Sequence, residues 1–499
     1  MSRGVVAAGH WLTAKAAADI LGEGGNAFDA AIAGIAMAAV AEPVLASLGG
    51  GGFLMARQAD GTTALYDFFV ETPQRRRPEN ETAVAAILAD FGPATQEFHI
   101  GLGTSATPGQ VPGLFAIHEA LAGLPMARLF APAIAAAREG VQLTRFQAYL
   151  FSVVAPILTA SAGVRAVFAP EGRLLAEGDR LKNPAMAETL EGLAEDGEAL
   201  FTNGAVGQAI CEQSEREGGH LTADDLAGYR VAKRAPLFWN YKGAELALNP
   251  PPAASGALIA YGLGVLEALG DAPPDVLHLY RALAATNDAR RRHGDSLARK
   301  LRDGDLAEEF AKLAVHPPAY RGTTHISVID EAGNAAAVSL SNGEGNGHMV
   351  GDFGFMLNNM LGEEDLSPDG LGRWREGVRL SSMMAPTVIR EPDGTVTALG
   401  TGGSNRIRTA ILQVALNLVD RGMDLEAAVC APRMHVEKSG MLSYEPGLDM
   451  AAALQEAAES HAWPERNLFF GGVHAARRHP DGRLEGIGDP RRGGDSTLV

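Results

Sequence analysis

The run Gly322-Thr323-Thr324-His325-Ile326-Ser327-Val328-Ile329-Asp330 puts a threonine hydroxyl at the head of an alternating segment, with Ile326 and Val328 apolar between polar neighbours. A threonine hydroxyl is a poor nucleophile unless a base takes its proton. Were the chain to begin at Thr323, the α-amine of the same residue would be that base, because an α-amine titrates close to neutrality. The acyl group of an amide could then pass to Thr323 Oγ1 and be released by water or an amine, with no separate histidine. Nothing in the run itself requires this. Threonine is favoured in strands, and on local grounds alone the segment reads as structural.

The elements around it are legible from periodicity. Ile326 and Val328 alternate as in a half-buried strand, Glu331-Ala332-Gly333-Asn334 supplies turn chemistry, and Ala336, Val338 and Leu340 alternate again. A β-hairpin with threonine at its start is expected. Gly4–Ala8 reads as a first strand and Trp11–Leu21 as a helix stopped by Gly22. Asn26 is a helix N-cap with Asp29 three residues on, and the helix to Ala41 is apolar nearly all round, so it is expected to be buried. Leu48-Gly49-Gly50-Gly51-Gly52-Phe53 lacks the Lys-Ser/Thr of a phosphate loop and runs into an apolar stretch, which predicts a tight turn under a neighbouring strand. Val315–Gly322 is rich in proline and glycine and suits an exposed connector. The stretch between 110 and 320 brings no convergent chemical groups and reads as scaffold.

The Thr-Thr-His hairpin, the glycine-rich segment at 48–53, Leu380-Ser381-Ser382-Met383 and Gly400-Thr401-Gly402-Gly403-Ser404 occur in the order seen in γ-glutamyltranspeptidases. The chain resembles that family from about residue 4 to about residue 492. The resemblance implies an α/β fold, the four-layer αββα sandwich of N-terminal nucleophile hydrolases. It also implies self-cleavage between Gly322 and Thr323, giving a large subunit 1–322 and a small subunit 323–499 that stay associated as one interwoven domain. Thr323 would be the nucleophile, with the backbone amides of Gly403 and Ser404 as oxyanion donors and Ser341 supporting the catalytic hydroxyl. Thr324, Asn342, Glu363, Ser381 and Ser382 would lie at the substrate. No cofactor is implied.

The chain departs from the family pattern at the clamp for an α-amino acid. The arginine that pairs with the donor's α-carboxylate is replaced by Phe69, and a phenyl ring cannot stand in for a guanidinium. Arg75, Arg76 and Arg77 follow closely, though a run of three arginines reads as a solvated face. Met360 replaces one of two contacts to the α-amine, and Glu363 is the other, one methylene longer. The short stretch from Leu361 to Val378 predicts a reduced lid. Three functions follow. The first is hydrolysis or transfer of γ-glutamyl groups, as in glutathione. The second keeps the mechanism but acts on a dicarboxylic or other small acyl group, and Phe69 and Met360 favour it. The third is an uncleaved binding protein, against which the intact Gly322-Thr323-Thr324-His325 run weighs.

Composition bounds the partners. The 499 residues are 46% apolar and carry a net charge of −18, from 60 acidic and 42 basic side chains, which argues against nucleic acid or an anionic membrane as the main partner, while a small-molecule amide substrate is what the resemblance implies. Two distant cysteines imply no disulfide framework, and the 13 histidines show no zinc spacing. Met1-Ser2-Arg3 leads directly into the first strand and Ala30–Ala41 is too short to span a bilayer, so a cytoplasmic protein is expected. Oligomeric state is left open, a higher oligomer included.

Overall fold

The computed structural model describes residues 2–90, 95–270, 272–293, 297–303, 322–363 and 372–499. Two antiparallel sheets lie face to face. The larger has seven strands in the order Asp495–Leu498, Gly4–Ala8, Thr324–Asp330, Ala335–Ser341, Gly51–Arg57, Thr63–Phe68 and Ala232–Arg234. The smaller has six, in the order Leu484–Ile487, His474–Arg478, Val396–Gly400, Thr387–Arg390, Ala244–Leu248 and Leu237–Tyr241. Helices Trp11–Gly22 and Ala27–Ala41 cover the outside of the first sheet. Helices Ser255–Ala268, Val276–His293 and Arg406–Val419 cover the outside of the second. The result is the αββα sandwich expected from the resemblance.

Alternation along the strands decides what lies in each layer. Val6, Ala8, Ile326, Val328, Val338 and Leu340 pack against the wholly buried helix Ala27–Ala41. Their neighbours Val5, Ile329, Ala335 and Ala337 face the second sheet and join a core that includes Val388, Ala398 and Leu399. The helix starts as its sequence dictates: Asn26 Oδ1 accepts from the N–H groups of Phe28 and Asp29, and the Asp29 carboxylate accepts from Asn26 N–H. The hairpin pairs Thr324 with Leu340 and Ile329 with Ala335, and Ala335–Ser341 then pairs with Gly51–Arg57. A side chain on Gly52 would overlap the carbonyl of Ser339, so the glycine-rich segment serves close strand approach rather than phosphate binding.

Strand parity also fixes the direction of the chemistry. Odd-numbered residues at the head of Thr324–Asp330 face the space between the sheets, and even-numbered ones face the helices. His325 and Ser327 are therefore buried between the sheets, where the His325 ring bonds Ser339 Oγ and Ser327 Oγ, both at 2.9 Å. Burial, with His474 adding to it, holds the His325 imidazole well below its ordinary range, so it is a neutral packing group. Among the described residues no helix is long and apolar enough to cross a membrane.

Candidate active site

Thr323 sits at the mouth of the inter-sheet space, 5% exposed, on a cavity of about 40 Å³. The cavity is lined by Thr323, Ser341, Glu363, Ser382 and Ser404 on its polar side and by Phe69, Met360, Met383, Met384 and Ile407 on its apolar side, with Gly322 at the rim. Four segments meet the hairpin here: the end of strand Thr63–Phe68 at Phe69, the turn at 360–363, the stretch 382–384 and the turn at 404–407 into helix Arg406–Val419.

The bond before Thr323 is held from three directions. Ser341 Oγ donates to the Gly322 carbonyl oxygen at 2.8 Å, and the Gly343 N–H donates to Ser341 Oγ at 3.1 Å, fixing its orientation. The Gly322 N–H donates to Glu344 Oε1 at 3.1 Å, and Glu344 N–H is held by Asn359 Oδ1. On the other side, a Cβ on Gly402 would overlap the Thr323 carbonyl, so only glycine lets that loop approach. The next two residues both have positive φ, 125° at Gly403 and 52° at Ser404. The second is the left-handed region, rare for a residue with a side chain, and it reverses the chain into the helix Arg406–Val419.

The site residues expected from sequence divide into two sets. Thr323, Ser341, Glu363, Ser382, Ser404 and Phe69 meet at the cavity. Gly403 lies one step behind, against the Arg492 guanidinium. Thr324, Asn342 and Ser381 are off it. Thr324 has the opposite parity to Thr323, so its hydroxyl points to the helix layer and donates to Glu42 Oε2 at 2.7 Å. Asn342 follows Ser341 and likewise turns away, wedged between Gly50 and Gly345. Ser381 donates to the carbonyl of Pro252 at 2.8 Å, while its neighbour Ser382 faces the cavity. The Ser341 hydroxyl, expected to support that of Thr323, instead engages the Gly322 carbonyl, because the strand ends level with Gly322. Most of the connector before Gly322, and residues 364–371 of the expected lid, lie outside the described residues.

Phe69 is fully buried and stacks on Phe53, with ring centroids 5.4 Å apart. Among the described residues no cationic side chain lines the cavity beside Phe69. Arg75 and Arg76 are exposed, and Arg77 is tied to Glu215, Gly219 and His220. Arg379 reaches the main chain of Phe69, but it donates to the Phe69 carbonyl, the Tyr229 hydroxyl, Asp67, Glu71 and the Arg230 carbonyl and does not line the cavity.

Sequence reasoning missed Glu42, Glu344, Met383, Met384, Ile407 and Arg492. Glu42 follows the apolar helix directly, and its burial pushes the carboxyl up to about 7, against the pull of hydrogen bonds from Thr324 and Thr13. The acidic residue just before Pro43 was a signal that this helix ends at something polar. Arg492 had no such signal, since only the fold brings the last turn of the chain to Gly402.

A family model described as gamma-glutamyltranspeptidase matches residues 13–499. The chain belongs to this family. It is 30% identical to the glutathione hydrolase proenzyme of Escherichia coli, over 99% of this chain and 91% of that protein. It is also 30% identical to the acylase ACY 1 proenzyme of Pseudomonas sp. strain V22, over 100% of this chain and 94% of that protein. A cephalosporin acylase from Bacillus halodurans superposes with a TM-score of 0.87 at 24% identity, covering 99% of this chain and 96% of the other, which places the fold. The protein is thus an enzyme of the γ-glutamyltranspeptidase and acylase class of N-terminal nucleophile hydrolases.

Proposed function

We propose that the chain cuts itself between Gly322 and Thr323 into subunits 1–322 and 323–499 and then hydrolyses amides of small neutral acyl groups through an acyl ester on Thr323. In the cut, Thr323 Oγ1 attacks the Gly322 carbonyl carbon while the Ser341 hydroxyl supports the carbonyl oxygen as it gains charge. The peptide C–N bond breaks, nitrogen takes the hydroxyl proton, and water hydrolyses the resulting ester to leave a carboxylate on Gly322 and a free amine on Thr323. That amine is then the base for the external reaction. It takes the Oγ1 proton as the donor's acyl carbon is attacked and passes it to the departing amine. The main-chain amides of Gly403 and Ser404 are the oxyanion donors of this second reaction.

The acyl cavity carries the choice of donor. Its apolar wall is Phe69, Met360, Met383, Met384 and Ile407, its ionisable group is Glu363, and no cationic side chain lines it among the described residues. A γ-glutamyl or glutaryl donor would bring a carboxylate into this space with no cation to offset it and Glu363 close by, which costs several kcal/mol. A butyryl-type acyl group brings no charge into the cavity, packs on its apolar wall and leaves Glu363 without a like charge beside it. The γ-glutamyl reading keeps one support, since Glu363 can hold an α-amine.

The test is turnover of γ-glutamyl, glutaryl and butyryl p-nitroanilides by purified protein, beside intact mass under denaturing conditions for the wild type and Thr323→Ala. Two fragments, the smaller starting at Thr323, with an uncut control and butyryl preferred by about a hundredfold or more in kcat/KM, is the expected result. Preference for γ-glutamyl would overturn the donor assignment, and a single uncut chain in both proteins would overturn the mechanism.

A further inference from the structure

A second cavity of about 40 Å³ lies on the other side of Gly322 from the acyl cavity. Its walls include Val44, Leu150 and Phe469, and its polar groups are Glu344, Arg406 and Arg492. Arg492 is only 7% exposed, and its Nε is buried without a hydrogen-bond partner. Among the described residues the one hydrogen bond of its side chain runs from Nη2 to the Leu468 carbonyl, at 3.4 Å. No carboxylate lies within ion-pair distance of it among the described residues. The adjacent Asp489 is already held by Arg433 and Arg491. Burial and the neighbouring Arg406 bring the Arg492 guanidinium down to about 10, so an arriving anion would relieve both effects.

Its position ties this cation to the reaction. The stem of Arg492 lies over Gly472, and the guanidinium packs on the glycine loop beside Thr323. The place a Gly402 Cβ would take is 3.0 Å from Nη1 and overlaps the Thr323 carbonyl, and the place a Gly403 Cβ would take is 3.1 Å from Nη2. The two cavities thus flank Gly322, the residue before the nucleophile, one with hydroxyls, Glu363 and an apolar wall and the other with two guanidiniums, Glu344 and apolar walls. Gly322 lines both, so its departure after cleavage joins them across Thr323.

We propose that this second cavity is the subsite for the amine half of the substrate, and that Arg492, with Arg406, binds a carboxylate carried by that amine. The inference rests on the amidohydrolase reading above. Glu344, which accepts the Gly322 N–H in the uncut chain, stands at the end of the cavity nearest the scissile bond. Val44, Leu150 and Phe469 pack on the amine's apolar body. The favoured substrates are then N-acyl amino acids with apolar side chains, and the favoured acceptors are the corresponding free amino acids.

The experiment compares kcat/KM for N-butyryl-leucine and N-butyryl-leucinamide, which differ only in the charge at the position assigned to Arg492. The self-processed wild type is expected to prefer the carboxylate by about ten- to a hundredfold. In Arg492→Gln that ratio falls to within about threefold of unity, while Arg492→Lys keeps an intermediate ratio. The ratio is the readout, so a general loss of rate in either variant does not mimic the result, and the wild-type ratio is informative even if a variant fails to fold. A wild-type ratio near one, or an unchanged ratio in Arg492→Gln, overturns the inference. Butyryl p-nitroanilide, which carries no carboxylate, separates the two readings. Turnover of the anilide without discrimination sinks this subsite alone, and no turnover of any amide sinks the amidohydrolase reading and this inference with it.

Discussion

Replacing Ser341 by alanine should slow self-cleavage far more than it weakens the fold. In the uncut chain its hydroxyl donates to the Gly322 carbonyl at 2.8 Å, oriented by the Gly343 N–H. A neutral hydrogen bond of this kind contributes about 0.5–1.5 kcal/mol to stability. Lost equally from the starting chain and the transition state, it would leave the rate of cutting unchanged. Charge grows on the Gly322 oxygen as Thr323 Oγ1 attacks, however, and a donor already in place on an oxyanion is typically worth about 2.7–4 kcal/mol. The expected slowing is therefore about 10²–10³-fold. The assay is a time course of intact mass under denaturing conditions, starting from the uncut fraction of protein made at low temperature. Ser341→Thr, which restores a hydroxyl, should cut within about tenfold of wild type if the oxygen is what matters. Slowing of less than about threefold in Ser341→Ala, at an unchanged urea midpoint, would refute the assignment of this hydroxyl to the scissile carbonyl.

Further outcomes follow from other parts of the molecule. Arg379→Met removes one of two cations from the buried Asp67 carboxylate, which keeps Arg234, and one of two donors from the Phe69 carbonyl, which keeps the Tyr229 hydroxyl, so urea unfolding should show a loss of about 1.5–3 kcal/mol. Glu42 titrates higher in the folded protein, at about 7, than its ordinary 4.5. Between those values the unfolded chain gives up the proton while the folded one keeps it, so stability falls as pH rises across this window. Glu42→Gln should remove that fall, narrowing the difference between urea midpoints at pH 5 and pH 8 by an amount equivalent to about 3 kcal/mol. Ser404→Gly, made in the uncut Thr323→Ala background, should raise stability by about 1 kcal/mol, because glycine adopts the observed φ of 52° without strain.

The hairpin was legible in the sequence because one sheet face is apolar and register is then set by alternation, as Ile326 and Val328 show. The same rule, applied one residue further, would have turned Thr324 away from the cavity. The departures from the resembled family's pattern at Phe69 and Met360 were readable, since a change of chemistry is visible in the residue type. What replaces a clamp is a matter of neighbours distant in sequence. Arg379 lies about three hundred positions from Phe69 and is fully occupied, and Met383, Met384 and Ile407 become cavity walls only when two loops meet. Arg492 was unreadable for the same reason, because a charge near the chain's end carries no mark of where it will be buried.

The two ends of the chain meet in the first sheet: the Arg3 N–H donates to the Val499 carbonyl, and the Val499 N–H donates to the Gly4 carbonyl. The order in which the gene spells the two segments is therefore not demanded by the sandwich. A rearranged gene that starts at Thr323, runs to Val499, crosses a short linker into Ser2 and stops at Gly322 would encode the same strand neighbours. In such a permuted protein, trimming the initiator methionine would expose the threonine amine directly. On the self-cleavage proposed above, maturation would pass from an internal rearrangement to an ordinary step of translation.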